Sequence, residues 1–449
     1  MTSRHLRSRS LVQSILQAGL GFFFACCSVP LFAHTIASSL VKDSFVIDSR
    51  ASGPAFAEIA DIDQDGEKEI IVTKFGNIRG SIPNGEVTLY KRNGDLGHWR
   101  KYPLITKADN VKFPNQPFVH DVSKNGKLDI VIPTGFFVCE VVPFGKPCGG
   151  LILLEQKERG FVRHDIVKPG ASMFFHGAIF ADVNGNGIED LITVGERKGK
   201  IFGNVKDRAV TLWFKGIKEA PYFESTPRVL AEGLGSIPVL KDITGNGKFD
   251  LASGEYFNAK RASFSWLEQL QGISARYPNG LWKRHIIDDN IGPTIMFKLV
   301  DDLYGDGKTR GIGTNHTNTA KRNPDPWESA VYVYDMPNNP RKKWKKTKIS
   351  KGIRSRPGGF MDYQMAPGIF GVGDLLGNGL KDVLVSGDGD DRVFLLEQRS
   401  PGNFITHALI EDFGQAGAMK IADIDNDGKN EALISSYETN ELMILKLDR

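Results

Sequence analysis

Two nine-residue stretches of this chain gather oxygen donors at a spacing that suits a hard cation. They are Asp61-Ile62-Asp63-Gln64-Asp65-Gly66-Glu67-Lys68-Glu69 and Asp423-Ile424-Asp425-Asn426-Asp427-Gly428-Lys429-Asn430-Glu431. In a tight loop, side-chain oxygens at the first, third and fifth positions converge on one point. Glycine at the sixth allows the sharp turn, a backbone carbonyl at the seventh can add a ligand, and a carboxylate at the ninth closes a cage of the kind Ca²⁺ prefers. The expected ligands are Asp61, Asp63, Asp65 and Glu69 in one loop, and Asp423, Asp425, Asp427 and Glu431 in the other. Three softer copies offer Asp121, Ser123, Asn125 and Asp129; Asp182, Asn184, Asn186 and Asp190; and Asp242, Thr244, Asn246 and Asp250. With two carboxylates each they are expected to bind more weakly, because charge count tunes affinity. Two copies are degenerate. In 302–310, Tyr304 and Arg310 stand at the third and ninth positions, so a guanidinium is expected in place of the cation. In 374–382, Leu376 at the third position predicts a metal-free turn.

The seven copies begin at residues 61, 121, 182, 242, 302, 374 and 423, at intervals of 60, 61, 60, 60, 72 and 49. A period of this size is the mark of a repeat architecture. The loop is no EF-hand, which needs its acid at the twelfth position and a helix on each side. The flanks here read as strands: Phe56–Ala60 before the first loop and Ile70–Val72 after it. Each repeat reads as four short strands. The first blade runs Ala55–Ala60, acidic loop, Glu69–Lys74, Glu86–Arg92 and His98–Ile105. The fourth strand carries an aromatic residue followed by Ile, Leu or Val: Trp99, Phe161, Phe223, Trp282, Trp344 and Phe404. Four-stranded units in radial array predict an all-β fold, a seven-bladed β-propeller over residues 40–449. After the last acidic loop only Ala432–Ser435 and Glu441–Leu447 remain, so the last blade lacks a fourth strand. The segment Ser44–Asp48 is expected to supply it and close the ring, which leaves few exposed strand edges.

Residues 1–33 read as a targeting segment. Arg4, Arg7 and Arg9 precede an apolar stretch from Ile15 to Val29, and Leu31-Phe32-Ala33 offers a small residue for cleavage. The expectation is a secreted or periplasmic protein, held at a membrane only if this segment is not cleaved. Beyond it lie two of the four cysteines, Cys139 and Cys148, and an oxidising compartment predicts a disulfide between them. Setting aside the three arginines of the segment leaves 54 Lys and Arg against 53 Asp and Glu. Near-neutral charge argues against a nucleic-acid or general polyanion partner. The basic run Arg341–Lys348 reads as a solvated edge strand, where lysines blunt edge pairing. No Lys-Ser/Thr phosphate loop, His-Glu-x-x-His, Gly-x-Ser-x-Gly or Cys-x-x-Cys is present.

The loops 61–69 and 423–431, their β flanks and the sevenfold count resemble the FG-GAP/VCBS repeat proteins, a family that includes the integrin α-subunit propeller. The resemblance covers essentially the whole chain after residue 33. It implies a propeller with Ca²⁺ in its blade loops. Family members include adhesion and ligand-binding propellers, and enzymes such as rhamnogalacturonan lyase and a fungal aldos-2-ulose dehydratase. The motif selects none of these, because fold does not fix function.

The acidic loops join first strands to second strands and gather on one face. The longer loops gather on the other: 135–150, 196–208, 255–263 and 315–329, with the connection 350–368. Loop length on a rigid scaffold is where binding usually resides. Residues at or just past the second strands include Lys74, Phe136, Glu196, Arg197, Glu255, Tyr256, Asn315, His316, Asp388, Tyr437 and Glu438; six places before the acidic loops stand Asn115, His176, Ser236 and Met296. Of these, His176, His316 and Tyr256 are the expected catalytic residues if the protein is an enzyme. Arg197, Glu196, Glu255, Asn315, Asp388 and Tyr437 are the expected ligand contacts. Such a funnel could abstract a proton beside a sugar carboxylate or ketone, or bind a sugar or peptide. His120 is expected to pack at the metal-loop face, and His164, His285 and His407 on the outer surface. The function expected is that of a monomeric, calcium-binding recognition module for carbohydrate or protein. The alternative is a carbohydrate-active lyase or dehydratase.

Overall fold

The computed structural model describes residues 34–448, apart from 78–81, 142–144, 200–206, 236, 258–262 and 358–363. The targeting segment 1–33 and Ser236 therefore lie outside the described residues. Seven antiparallel sheets follow one another in chain order. Blade one is formed by Pro54–Ala60, Glu69–Lys74, Glu86–Asn93 and Asp95–Ile105. The others repeat that up-and-down order, and the described residues are all-β but for two short helical turns. The first strands are innermost: that of blade seven, Ala416–Ala422, packs against that of blade one and that of blade six.

Burial explains the strand sequences. Second strands such as Glu69–Lys74, Asp129–Thr134 and Glu431–Ser436 are buried at every residue. Both of their faces are covered by neighbouring blades, so they read as continuous apolar runs rather than alternating ones. Fourth strands alternate, as in Asp95–Ile105, because only one face is covered. Trp99, Phe161, Trp282 and Phe404 lie on fourth strands, whereas Trp344 immediately precedes one and Phe223 sits in an isolated bridge to Gly216.

The ring closes through the N-terminal sequence. Val41–Asp48 pairs with Glu441–Leu447 as the fourth strand of blade seven. The sheet system also begins earlier than residue 40: Thr35–Ile36 adds a fifth strand to blade six by pairing with Ile410 and Glu411. Periodicity gave no sign of this two-residue strand. The first strand of blade three differs too. It is split into Phe174–Phe175 and Ile179–Ala181, both paired with Asp190–Arg197. His176 falls in the break, where a bulge re-aims a side chain.

Candidate functional site

On one face, every acidic loop is first of all a turn. The aspartate at position one accepts backbone N–H bonds from residues four and five places on, as in Asp61 with Asp65 (3.0 Å) and Gly66 (2.9 Å), and Asp242 with Asn246 (3.0 Å) and Gly247 (2.7 Å); Asp302 accepts only from Gly307, five places on. The loops differ at position nine. Asp129, Asp190, Asp250 and Asp382 each accept a backbone N–H on both oxygens, one from their own loop and one from the third strand or, for Asp190, from Gly216 just past it. Glu69 and Glu431 are longer. One oxygen of each accepts an N–H, from Ile62 and Ile424 at 2.8 Å, and the other is buried with no hydrogen-bond partner. One oxygen of each glutamate lies with oxygens of Asp61 and Asp63, or of Asp423 and Asp425, within 4.8 Å of one another. Calcium binds oxygens at about 2.3–2.6 Å, so ligands on one ion stand up to about 5 Å apart. The two clusters could hold such an ion.

Burial pushes the Glu69 carboxyl up to about 7, with the Asp63 and Asp65 charges adding to the effect, and Glu431 is raised for the same reasons. A third-strand lysine offsets part of this. Lys91 lies 2.5 Å from Asp63 and 2.6 Å from Asp65, and Lys446 lies 2.7 Å from both Asp425 and Asp427. The clusters that could hold a cation thus lie in blades one and seven. In the loops 121–129, 182–190 and 242–250, the ninth carboxylate is committed to backbone and, among the described residues, no comparable cluster of three carboxylates forms.

In blade five a guanidinium sits in the acidic loop. The Arg310 guanidinium donates to both Asp306 oxygens at 2.6 and 2.8 Å and to Asp335 at 2.7 Å, and lies 3.9 Å above the Tyr304 ring. Arg310→Ala is expected to lower the melting temperature, because two half-exposed carboxylates lose their partner and Tyr304 loses the cation above its ring. Thermal denaturation checks this, and calcium should not restore the loss.

The opposite face carries a belt to which all seven blades contribute. Phe75 (blade one) meets Phe113 at 5.1 Å, Phe113 meets Phe136 (blade two) at 5.7 Å, and Phe136 meets Phe174 (blade three) at 6.0 Å between ring centroids. Phe174 touches His176 and Phe257, each at 5.5 Å, and Phe257 touches Tyr256 of its own blade four at 5.0 Å. Tyr256 leads to His316 of blade five at 5.9 Å. The His316 Nε2 then faces Asp388 of blade six at 3.8 Å, the Tyr437 hydroxyl of blade seven donates to Asp388 at 2.5 Å, and Tyr437 returns to Phe75 at 6.1 Å. Phe75, Phe136, Tyr256, Phe257 and Tyr437 are all partly exposed. Cys139 and Cys148 form a disulfide and pack with Phe113 and Phe136, stapling the loop that presents the blade-two aromatics.

The His316 Nδ1 is 2.9 Å from the Pro367 carbonyl. A carbonyl only accepts, so Nδ1 carries a hydrogen; in the neutral tautomer the lone pair would sit on Nε2, which faces Asp388. Burial raises the Asp388 carboxyl, opposed by His316 and the Tyr437 hydroxyl. Burial and the Asp388 charge hold the Tyr437 phenol well above its usual range. Arg356, half-buried nearby, pairs with Glu438 at 2.8 Å. His176 bonds through Nδ1 to the buried Glu196 at 3.1 Å.

Several expected contacts stand elsewhere. Glu255 is fully buried, bonded to Ser265 and paired with Arg284 of the fourth strand. Asn315 is also fully buried: its amide donates to the Ile291 and Glu328 carbonyls, and its oxygen accepts the Ala330 N–H. Both are enclosed by the scaffold, although the Glu255 Oε2 is buried without a hydrogen-bond partner. Lys74 is likewise buried, beside Asp48 and Tyr90. Arg197 is partly exposed, with a buried Nε that has no partner. Sequence reasoning missed Phe75, Phe113, Phe174 and Phe257, although Phe75 holds the place after the second strand that Tyr256 and His316 hold in their blades.

The remaining histidines are partnered. His120 stacks on Phe180 at 4.6 Å and bonds to Glu189 at 2.7 Å, beside a cavity of about 480 Å³ between blades two and three. His164, His285 and His407 are not free surface groups: each pairs with a buried third-strand glutamate, Glu155, Glu268 and Glu397, at 2.9, 2.8 and 2.7 Å. In the basic run, Arg341 pairs with Glu268, Lys346 with Asp288 and Lys348 with Glu328, while Trp344 is buried.

Among the described residues no helix is long and apolar enough to cross a membrane. Residues 374–434, from the acidic loop of blade six through the second strand of blade seven, match the model of the FG-GAP-like repeat. Comparison with curated proteins gave no match. Among solved structures, an alpha-L-arabinanase of Penicillium chrysogenum complexed with arabinobiose is similar at a TM-score of 0.45 and 9% identity, over 91% of this chain and 98% of that one. At that score it speaks neither for a shared active site nor for a shared substrate. The chain is a seven-bladed β-propeller, and its residues 374–434 match the FG-GAP-like repeat.

Proposed function

We propose that this protein is an exported, calcium-binding propeller that recognises carbohydrate on the face opposite its acidic loops. The observation that carries the reading is the closed belt. Its aromatic arc, Phe75 through Tyr256, offers flat apolar faces, and its polar arc, His316, Asp388 and Tyr437, offers fixed donors and acceptors. Partly exposed rings beside oriented polar groups suit a sugar, whose C–H faces are apolar and whose edges are hydroxyls. Calcium in blades one and seven would stiffen the scaffold, with Asp61, Asp63, Asp65 and Glu69, and Asp423, Asp425, Asp427 and Glu431, as its ligands. Near-neutral charge gives no support to a nucleic-acid partner. The protein acts as a monomer.

A second reading rests on the Nε2 lone pair of His316. A base there, with Tyr437 as the neighbouring hydroxyl, could remove a proton beside a sugar carboxylate, as a lyase or dehydratase does. One screen separates the two. The protein is passed over immobilised polysaccharides and incubated with soluble ones, while ultraviolet absorbance of unsaturated sugar is followed. Retention without new absorbance is the expected result. Rising absorbance would move the assignment to a lyase, and neither signal would leave a protein partner as the ligand.

A further inference from the structure

Strand register defines a layer of seven side-chain positions around the propeller axis. The first-strand residue opposite the ninth loop position is Ala60, His120, Ala181, Lys241, Val300, Gly373 or Ala422, blade by blade. Two places earlier stand Glu58, Phe118, Ile179, Val239, Lys298, Gly371 and Lys420. Four of these cannot carry charge. The other three are two ammoniums and one carboxylate.

They do not share charge evenly. Glu58 is committed to one side: its Oε2 accepts Lys420 at 2.6 Å and the Gln116 amide at 3.0 Å, and its Oε1 accepts the Ile59 N–H. Lys298, in blade five, has no carboxylate or carbonyl partner among the described residues, and its ammonium lies 5.5 Å from the Phe370 ring. Blade six stands between the two lysines and contributes only Gly371. A Cβ there would meet the Met419 carbonyl oxygen at 2.8 Å, so close packing of these two first strands excludes any side chain. Lys298 and Lys420 therefore feel each other across a glycine, with one carboxylate between them.

We propose that this axial layer binds a small monovalent anion, halide or carboxylate, held by Lys298 with Lys420 behind it. The Lys298 side chain is only partly exposed and its ammonium has no counter-charge in contact, which a small anion would supply. Burial, and then the Lys420 charge, push the Lys298 ammonium down to about 8, which accords with a layer short of negative charge.

The test is thermal denaturation of the full chain at constant ionic strength, with gluconate replaced stepwise by chloride, bromide or acetate, together with diffraction from bromide-soaked crystals. The melting temperature is expected to rise by about 1–2 °C as the small anion saturates, since a ligand of the folded state alone stabilises it. Chloride against acetate tells which of the two chemistries fits. Lys298→Met should lose that response and melt no lower than the native chain in gluconate, because it removes an uncompensated charge. Bromide should appear at the axis beside the Lys298 Nζ. A full anion response in Lys298→Met, no response in the native chain, or no axial bromide would overturn the proposal.

Discussion

Chelated protein is expected to melt several degrees lower than calcium-loaded protein, and the double variant Asp61→Ala/Asp423→Ala to show no difference. A ligand at a hundred times its dissociation constant stabilises by about 2.7 kcal/mol per site, so two sites give about 5 kcal/mol. For a chain of this size that is on the order of 5–10 °C. The two loops stand at the seam of the ring and touch: the Asn426 amide donates to the Gly66 carbonyl at 2.8 Å, and Lys68 to the Asp423 carbonyl. Calcium should therefore stabilise the closure between first and last blades. The pH dependence follows from Glu69, whose folded value of about 7 stands above its ordinary 4.5. Between those values the folded protein holds a proton that the unfolded chain has lost. Metal-free stability should thus fall as pH rises from about 4.5 to about 7 and then level off. Calcium needs the ionised carboxylate, so the gain in melting temperature should be larger at pH 8 than at pH 5. Lys91 and Lys446 must leave the carboxylates for a cation to enter, so Lys91→Met and Lys446→Met should bind calcium more tightly. Calorimetry with native and variant proteins checks each point. Absence of a melting shift, with no bound metal by elemental analysis, would sink the calcium reading.

Substitutions in the belt should abolish glycan retention without unfolding the protein. Phe257→Ala removes a partly exposed ring that links blades three and four, and a central aromatic contact of this kind is worth about 2 kcal/mol, or roughly thirtyfold in affinity. Asp388→Asn would break the charge relation with His316 and weaken the bond from Tyr437, so a comparable loss is expected. Glu255→Gln and Asn315→Ala supply the contrast. Both residues are fully buried and bonded within the scaffold. They should lower stability by about 2–4 kcal/mol while folded protein keeps its affinity. Retention isotherms alongside melting curves separate the two classes. If Glu255→Gln lost retention at full stability while Phe257→Ala kept it, the belt would not be the binding surface.

The amino-acid sequence by itself determined the repeat. Asp at position one and Gly at position six recur because the turn requires them: one closes the loop through backbone N–H groups, and the other takes the positive φ of 91° at Gly66 or 86° at Gly428. Local chemistry repeated seven times is visible in one dimension, as is the missing strand that Val41–Asp48 supplies. What a strand-end residue faces depends on the neighbouring blade. Glu255 and Asn315 occupy matching places in adjacent blades, yet one meets Arg284 and the other the Ile291 and Glu328 carbonyls. Only the tertiary structure decided that Glu69 and Glu431 keep a free oxygen while the shorter aspartates at the same place do not. Only it closed the aromatic and polar belt, which joins Phe174 to Phe257, His316 to Asp388 and Tyr437 to Phe75, since sevenfold radial packing brings together residues that no local spacing relates.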